Sequence, residues 1–190
     1  MTNDNRIIVL VGPSGSGKTT VGELLTKKGI PKLVTTTTRQ PREGEIDGVD
    51  YYFRKVEELD SDDFIEQTVY NQKLYGLTKK EVTEALEKKP VVHVSLDKNG
   101  AKAMKETFPK ETIVIFIYVS TEEMKKRMAG RGDSEQKISE RLSFSRQTDE
   151  LKPVEEADLI IENKSVEDTV DKILSLIGKK TDQSMAENEE

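Results

Sequence analysis

The chain has no cysteine, no tryptophan and a single histidine, His93, among its 190 residues. Missing thiols exclude a disulfide framework, cysteine-ligated zinc, iron–sulfur clusters and thiol catalysis, and one imidazole cannot build a histidine-based metal cluster. Long apolar runs are absent too, since none nears the ~18 residues that a membrane span needs. The segment from Met1 to Arg6 is polar and lacks the graded zones of a secretory leader. Positive charge is in deficit, with 30 Lys plus Arg against 36 Asp plus Glu and a formal net charge of -6, which argues against a nucleic-acid coat. These absences point to a cytoplasmic globular protein of one compact domain, with neither a membrane nor a nucleic acid as partner.

What the sequence does contain is alternation. Ile7-Ile8-Val9-Leu10-Val11 is a continuous, β-branched apolar run ending at Gly12, the pattern of a strand buried on both faces of a parallel sheet. From Thr19 the positions Val21, Leu24 and Leu25 keep helical spacing, and Gly29 with Pro31 supplies a stop. Val91 to Leu96, Ile113 to Val119 and Leu159 to Ile161 repeat the buried-strand pattern. Ser120-x-x-Glu123 and Thr78-x-x-Glu81 fit capping boxes, so helices should begin near Thr121 and Lys79. A last helix from about Val166 carries Val170, Ile173, Leu174 and Ile177 on one stripe, with Gly178 as its expected cap. The expected fold is therefore α/β, with a parallel sheet of about five strands once Leu33-Val34 is counted, flanked by helices. Residues 35–90 read as an inserted small mixed α/β lobe on a core of residues 1–34 and 91–178. Residues 130–146, rich in charge, read as a lid, and residues 179–190 as a polar tail expected to be disordered.

Between the first strand and its helix stands Gly12-Pro13-Ser14-Gly15-Ser16-Gly17-Lys18-Thr19, a match to G-x-x-x-x-G-K-[ST] at every specified position. The glycines let successive backbone N–H groups converge on phosphate oxygens, and the helix N-terminus adds its partial positive charge. Lys18 would reach the β- and γ-phosphates, and the Thr19 hydroxyl would take one position on Mg²⁺. What receives the phosphoryl group is a separate question.

Thr35 to Phe53 is a long polar string with no core pattern to explain it. Taken alone, its tyrosines could be lobe core and its arginines solvated surface. The segment Thr37-Thr38-Arg39-Gln40-Pro41-Arg42-Glu43-Gly44-Glu45-Ile46-Asp47-Gly48-Val49-Asp50-Tyr51-Tyr52-Phe53, following a phosphate-binding loop, resembles the guanylate kinases. The likeness continues through Phe64-Ile65-Glu66, Tyr75-Gly76, Arg127-x-x-x-Arg131-Gly132 and Asn163, and so covers nearly the whole chain up to Gly178.

That resemblance implies ATP:GMP phosphotransfer with Mg²⁺, GMP or dGMP being the acceptor. It implies that Arg39 and Arg42 clamp the GMP phosphate with planar guanidinium forks, joined by the hydroxyls of Tyr51 and Tyr75. Glu66 would accept from N1–H and the 2-amino group of guanine, groups that adenine lacks, and Thr35 and Asp97 would complete the acceptor side. Arg127, Arg131 and Arg141 fall at lid positions that close over the ATP phosphates, with Arg146 a weaker candidate. Lys18, Arg42, Arg131 and Arg141 would carry the electrostatic catalysis. Gly12 to Thr19, Arg127, Arg131 and Asn163 would hold ATP, and Thr19 with Asp97 would hold the metal.

Two departures from the family pattern stand out. Ser95-Leu96-Asp97 replaces a D-x-D arrangement, and Leu77 stands where a small hydroxyl residue is expected, leaving neighbouring Thr78 to compensate. They keep open a relative with a shifted acceptor, another nucleotide or a ribose phosphate. A non-catalytic binding module is the other alternative, and the whole loop with Lys18 counts against it. A monomer or a homodimer is expected, and His93 reads as a structural residue.

Overall fold

The computed structural model describes residues 4–70, 72–130, 132–147 and 151–186. Four parallel strands make the main sheet, in the order β6-β1-β7-β8: β1 Arg6–Val11, β6 Val91–Ser95, β7 Thr112–Tyr118 and β8 Leu159–Glu162. Because side chains alternate across a strand, β1 divides between two cores. Ile7, Val9 and Val11 pack on one face with α2 (Lys79–Lys88) and α3 (Lys98–Thr107), through Val82, Leu86, Ala101 and Met104. Ile8 and Leu10 pack on the other with α1 (Lys18–Lys27) and α6 (Val166–Ala186), through Val21, Leu25, Val170 and Ile173. Burial on both faces is why the run could be read as parallel strand rather than as an alternating one.

The fifth strand expected at Leu33-Val34 is a single parallel bridge, Lys32 to His93, on the outer edge of β6. Leu33 N–H donates to the His93 carbonyl at 2.8 Å, and His93 N–H to the Pro31 carbonyl at 3.0 Å. Pro31 has no N–H with which to extend the ladder, and two residues later the chain has left for the lobe. There β2 (Thr36–Thr37), β3 (Tyr52–Phe53), β4 (Phe64–Tyr70) and β5 (Lys73–Thr78) form a second, mixed sheet ordered β3-β2-β5-β4. Gly76 is required in it, since a Cβ there would lie 2.7 Å from the Glu66 carbonyl and 2.5 Å from the Phe64 ring.

The lid is helical. α4 (Thr121–Gly130) and α5 (Glu135–Gln147) form a hairpin around their own small core of Val119, Met124, Met128, Ile138 and Leu142. Gly178 does not end α6, which runs on to Ala186; a lone interior glycine costs about 0.5–1 kcal/mol relative to alanine, and no proline follows to enforce a stop. The tail's remaining residues, 187–190, lie outside the described residues. Among the described residues no helix is long and apolar enough to cross a membrane.

His93 sits in the middle of β6, 2% exposed, under α1. The Thr26 hydroxyl donates to the Gly22 carbonyl at 3.0 Å, so its oxygen accepts from His93 Nε2 at 2.9 Å and fixes the Nε2–H tautomer. Nδ1 has no hydrogen-bond partner among the described residues, and a Cβ on Gly22 would stand 3.0 Å from Cε1. Burial, with the Lys32 charge second, lowers the imidazole from 6.5 to about 4. The fold thus requires the neutral ring: its contribution is intact above 6.5 and is lost as pH falls from there to about 4, by up to about 3 kcal/mol. Urea unfolding of the wild type and His93→Leu between pH 4 and 7 should show the wild type losing stability more steeply; parallel curves would contradict this account.

Candidate active site

Phosphate chemistry is built where the parallel strands end. The loop from Gly12 to Gly17 leaves β1 and enters α1, with Gly12, Gly15 and Gly17 at φ values of 146°, 86° and 96°. A Cβ on Gly12 would lie 2.0 Å from the Ile117 carbonyl oxygen, so no other residue fits against β7 there. Gly17 caps α1 without a side-chain hydrogen bond, and no acid stands in the first turn. The orphan N–H groups of that turn are therefore offered to an anion. Lys18 Nζ folds back over the loop, donating to the carbonyls of Gly12 at 2.5 Å and Pro13 at 3.0 Å.

Asn163, just beyond β8, is wholly buried beneath this loop. Its Nδ2 donates to the Ser16 carbonyl at 2.8 Å, its Oδ1 accepts from Thr169 Oγ1 at 3.0 Å, and its carbonyl accepts from Arg127 Nη2 at 2.9 Å. The side chain expected to help hold ATP is thus engaged with the loop, while the residue also borders a cleft of about 250 Å³ with Val119, Ser120 and Arg127. Arg127 is oriented by Glu123 at 2.8 Å and flanks Gly17, lining a cavity of about 460 Å³ with Ser14, Gly15, Lys18 and Thr19.

A larger cavity of about 800 Å³ opens on the other side of Lys18. Gly12, Ser14 and Lys18 form one wall, Ser95, Leu96 and Asp97 at the end of β6 the floor, and Asp133, Lys137, Glu140 and Arg141 of the lid the far wall. Arg141 therefore lines the same cavity as Lys18. Arg131 lies outside the described residues. Arg146 faces the groove between α4 and α5 instead, with Lys125 and Lys126.

On the lobe, Arg39 is held by a carboxylate that the sequence reading left without a role. Glu45 grips its guanidinium in a two-pronged pair, 2.9 Å at each prong, and also accepts from the Arg42 N–H at 2.7 Å. The hydrogen bond from Arg39 holds the Glu45 carboxyl down at about 2, and Arg39 in turn stays firmly charged. Tyr51 and Phe53, two residues apart and so on one face, carry the guanidinium at 5.4 and 5.6 Å from their ring centres, and Tyr75 meets Tyr51 edge-on at 5.9 Å. Tyr52, on the opposite face, stacks under Arg54. The Arg42 side chain is exposed at the mouth, and Thr35 is half-buried at the base of β2.

Glu66 follows a bulge in β4 that sends Ile65 into the core and leaves the carboxylate facing α3. Its Cγ lies 3.4 Å from the place a Cβ would occupy on Gly100, in the first turn of α3. Burial, then repulsion by Asp97, raises its carboxyl from 4.5 to about 7. Asp97 Oδ1 caps α3 by accepting from Gly100 N–H at 2.8 Å. Leu77 is fully buried in the core, and the Thr78 hydroxyl accepts from Glu81 N–H at 3.2 Å as the cap of α2.

Thr19 and Asp97 line different cavities, joined at Ser14 and Lys18. Among the described residues no three acidic or imidazole groups converge. This donor set suits Mg²⁺ carried in with a nucleotide, because that ion keeps several waters and takes only one or two protein ligands beside phosphate oxygens.

A parallel sheet whose central strand feeds such a loop, with an arginine-bearing lobe and a basic lid around it, defines a P-loop nucleotide-binding protein. The guanylate kinase family model matches residues 4–180. The chain is 36% identical over 177 residues to the guanylate kinase of Fusobacterium nucleatum subsp. nucleatum, covering 90% of this chain and 95% of that one. It is 37% identical over 182 residues to that of Clostridium acetobutylicum, covering 93% and 87%. The crystal structure of guanylate kinase from Anaplasma phagocytophilum superposes with a TM-score of 0.61 at 27% identity, over 93% of this chain and 86% of that one. The chain belongs to the guanylate kinase family.

The resemblance implies that Glu66 accepts from guanine, which needs the ionised form, so below about 7 binding would first have to remove its proton. Apparent affinity for GMP should fall about tenfold per pH unit below that value. In Glu66→Gln only the phosphate's own titration near ~6 should remain. KM for GMP measured from pH 5.5 to 8.5 in both proteins checks this; identical profiles would refute it.

Proposed function

We propose that the protein catalyses transfer of the ATP γ-phosphoryl group to GMP or dGMP, giving ADP and GDP or dGDP, as a cytoplasmic enzyme of purine nucleotide metabolism. The observation that carries the reading is a cleft lined by Lys18 of the anion-binding loop, by Arg141 and by Asp97, with Glu66 close enough to Asp97 for their charges to repel. An oxygen of the GMP phosphate attacks the γ-phosphorus in line, the bond to the β–γ bridging oxygen breaks, and ADP leaves with that electron pair. No covalent enzyme intermediate is required.

The protein's part is positioning and charge. The loop N–H groups and Lys18 hold the β- and γ-phosphates, and Arg39 and Arg42 hold the acceptor phosphate with Tyr51 and Tyr75. Glu66 reads the guanine edge, with Thr35 and Asp97 alongside, and Arg127, Arg131 and Arg141 close from the lid and exclude water. Thr19 and Asp97 would hold Mg²⁺ together with the nucleotide, and the ion would supply further neutralisation of phosphate charge. Buried Leu77, beside Glu66 in the β4–β5 register, and Ser95 near Asp97 in the cleft are the features that favour an acceptor other than guanine. Against it, Glu66 would have nothing to read on a sugar phosphate.

A coupled ADP-release assay with Mg·ATP against GMP, dGMP, AMP, CMP, UMP and ribose phosphates tests the reading. GMP and dGMP should stimulate, and stimulation only by another acceptor would overturn it. Lys18→Ala should lower kcat by roughly 100-fold or more with the fold retained by circular dichroism. Glu66→Ala should raise KM for GMP at least about tenfold while leaving the low rate with AMP nearly unchanged.

A further inference from the structure

Beyond the lid arginines, the geometry points to Lys137 as a further residue that binds the ATP phosphates. It stands four residues before Arg141 on α5, which places the two cations on one face of the helix. Both line the 800 Å³ cavity across from Gly12, Ser14 and Lys18. The orientation of α5 is set by packing: Ile138 and Leu142 are buried against Met124 and Met128 of α4, so the helix cannot roll Lys137 away from the cleft. Ser139, Ser143 and Arg146 line the separate groove toward α4. Glu140 shares the cleft face, but its carboxylate takes the Gln136 amide at 2.9 Å.

Chemistry gives this cation a task. The end of β6 brings one carboxylate, Asp97, to the cleft, while Ser95 beside it is neutral. Less of the charge on the polyphosphate can then be met through a metal held at that strand end, and more must come from side chains. A lysine ammonium is a compact charge with three donors on a four-carbon stem, suited to reaching a phosphate from a closing helix. The inference rests on the reading that this cleft takes ATP and goes past it, because nothing in the motif or the resemblance assigned Lys137.

Lys137 is exposed on a helix, where alanine is well tolerated, so its variants should fold. Lys137→Ala should raise both KM for ATP and the Kd for Mg·ATP in an equilibrium titration about tenfold, as expected for a lost charge-assisted contact. KM for GMP should stay within about twofold, and Lys137→Arg should retain most of the ATP affinity, because it keeps the charge. ATP constants within about twofold of wild type in Lys137→Ala, or an equal loss in Lys137→Arg, would overturn the assignment. A wild-type protein that binds Mg·ATP but transfers nothing to GMP would instead sink the acceptor reading and leave the titration of Lys137 valid.

Discussion

A loop that binds phosphate through its backbone must keep several N–H groups pointed at one spot while offering them nothing of its own. Everything around residues 12–17 serves that constraint. Gly12 lies so close to β7 that no side chain fits, and Gly17 caps α1 without closing its first turn. From below, the Asn163 amide holds the Ser16 carbonyl, and Thr169 and Arg127 hold Asn163. An Asn at the end of the edge strand thereby ties the last helix, the lid and the loop into one unit. Buried hydrogen bonds of this kind are costly to leave unmade, so the loop keeps its shape before any ligand arrives.

The acceptor side is organised by a comparable economy of charge. Glu45 spends one carboxylate on two tasks, gripping the Arg39 fork and tying down the backbone of Arg42. Tyr51 and Phe53 complete the setting by giving the guanidinium flat faces to lie on. A planar cation held on several sides is aimed before the phosphate arrives, which lowers the ordering cost of binding. Glu66 is the opposite case: it is pushed toward its neutral form by burial and by Asp97. An approaching donor pair from guanine would relieve that penalty, whereas a base without those donors would not.

Net charge says little about such a site. The chain is acidic by six charges overall, whereas Lys18, Lys137 and Arg141 line the cleft together with Asp97, Asp133 and Glu140, three bases to three acids. Potential in a cleft depends on which charges face it, and acids on distant surfaces are screened over roughly 8 Å at physiological salt.

Patterns of short range were legible in the residues themselves. The buried strands, the capping box at Thr78, the stop at Gly29 and the phosphate-binding loop each depend on neighbours within a few positions, so spacing was enough to find them. The resemblance alone marks Arg39, Tyr51, Glu66 and Tyr75 as candidates for the acceptor side, since no periodicity singles them out. Only the tertiary structure decided the rest. It made Leu33-Val34 a single bridge, continued α6 past Gly178, buried the Asn163 side chain under the loop, committed Thr78 to a helix cap and turned Lys137 into the cleft. Each of these depends on what a distant segment brings to the same place, and a one-dimensional pattern does not encode that.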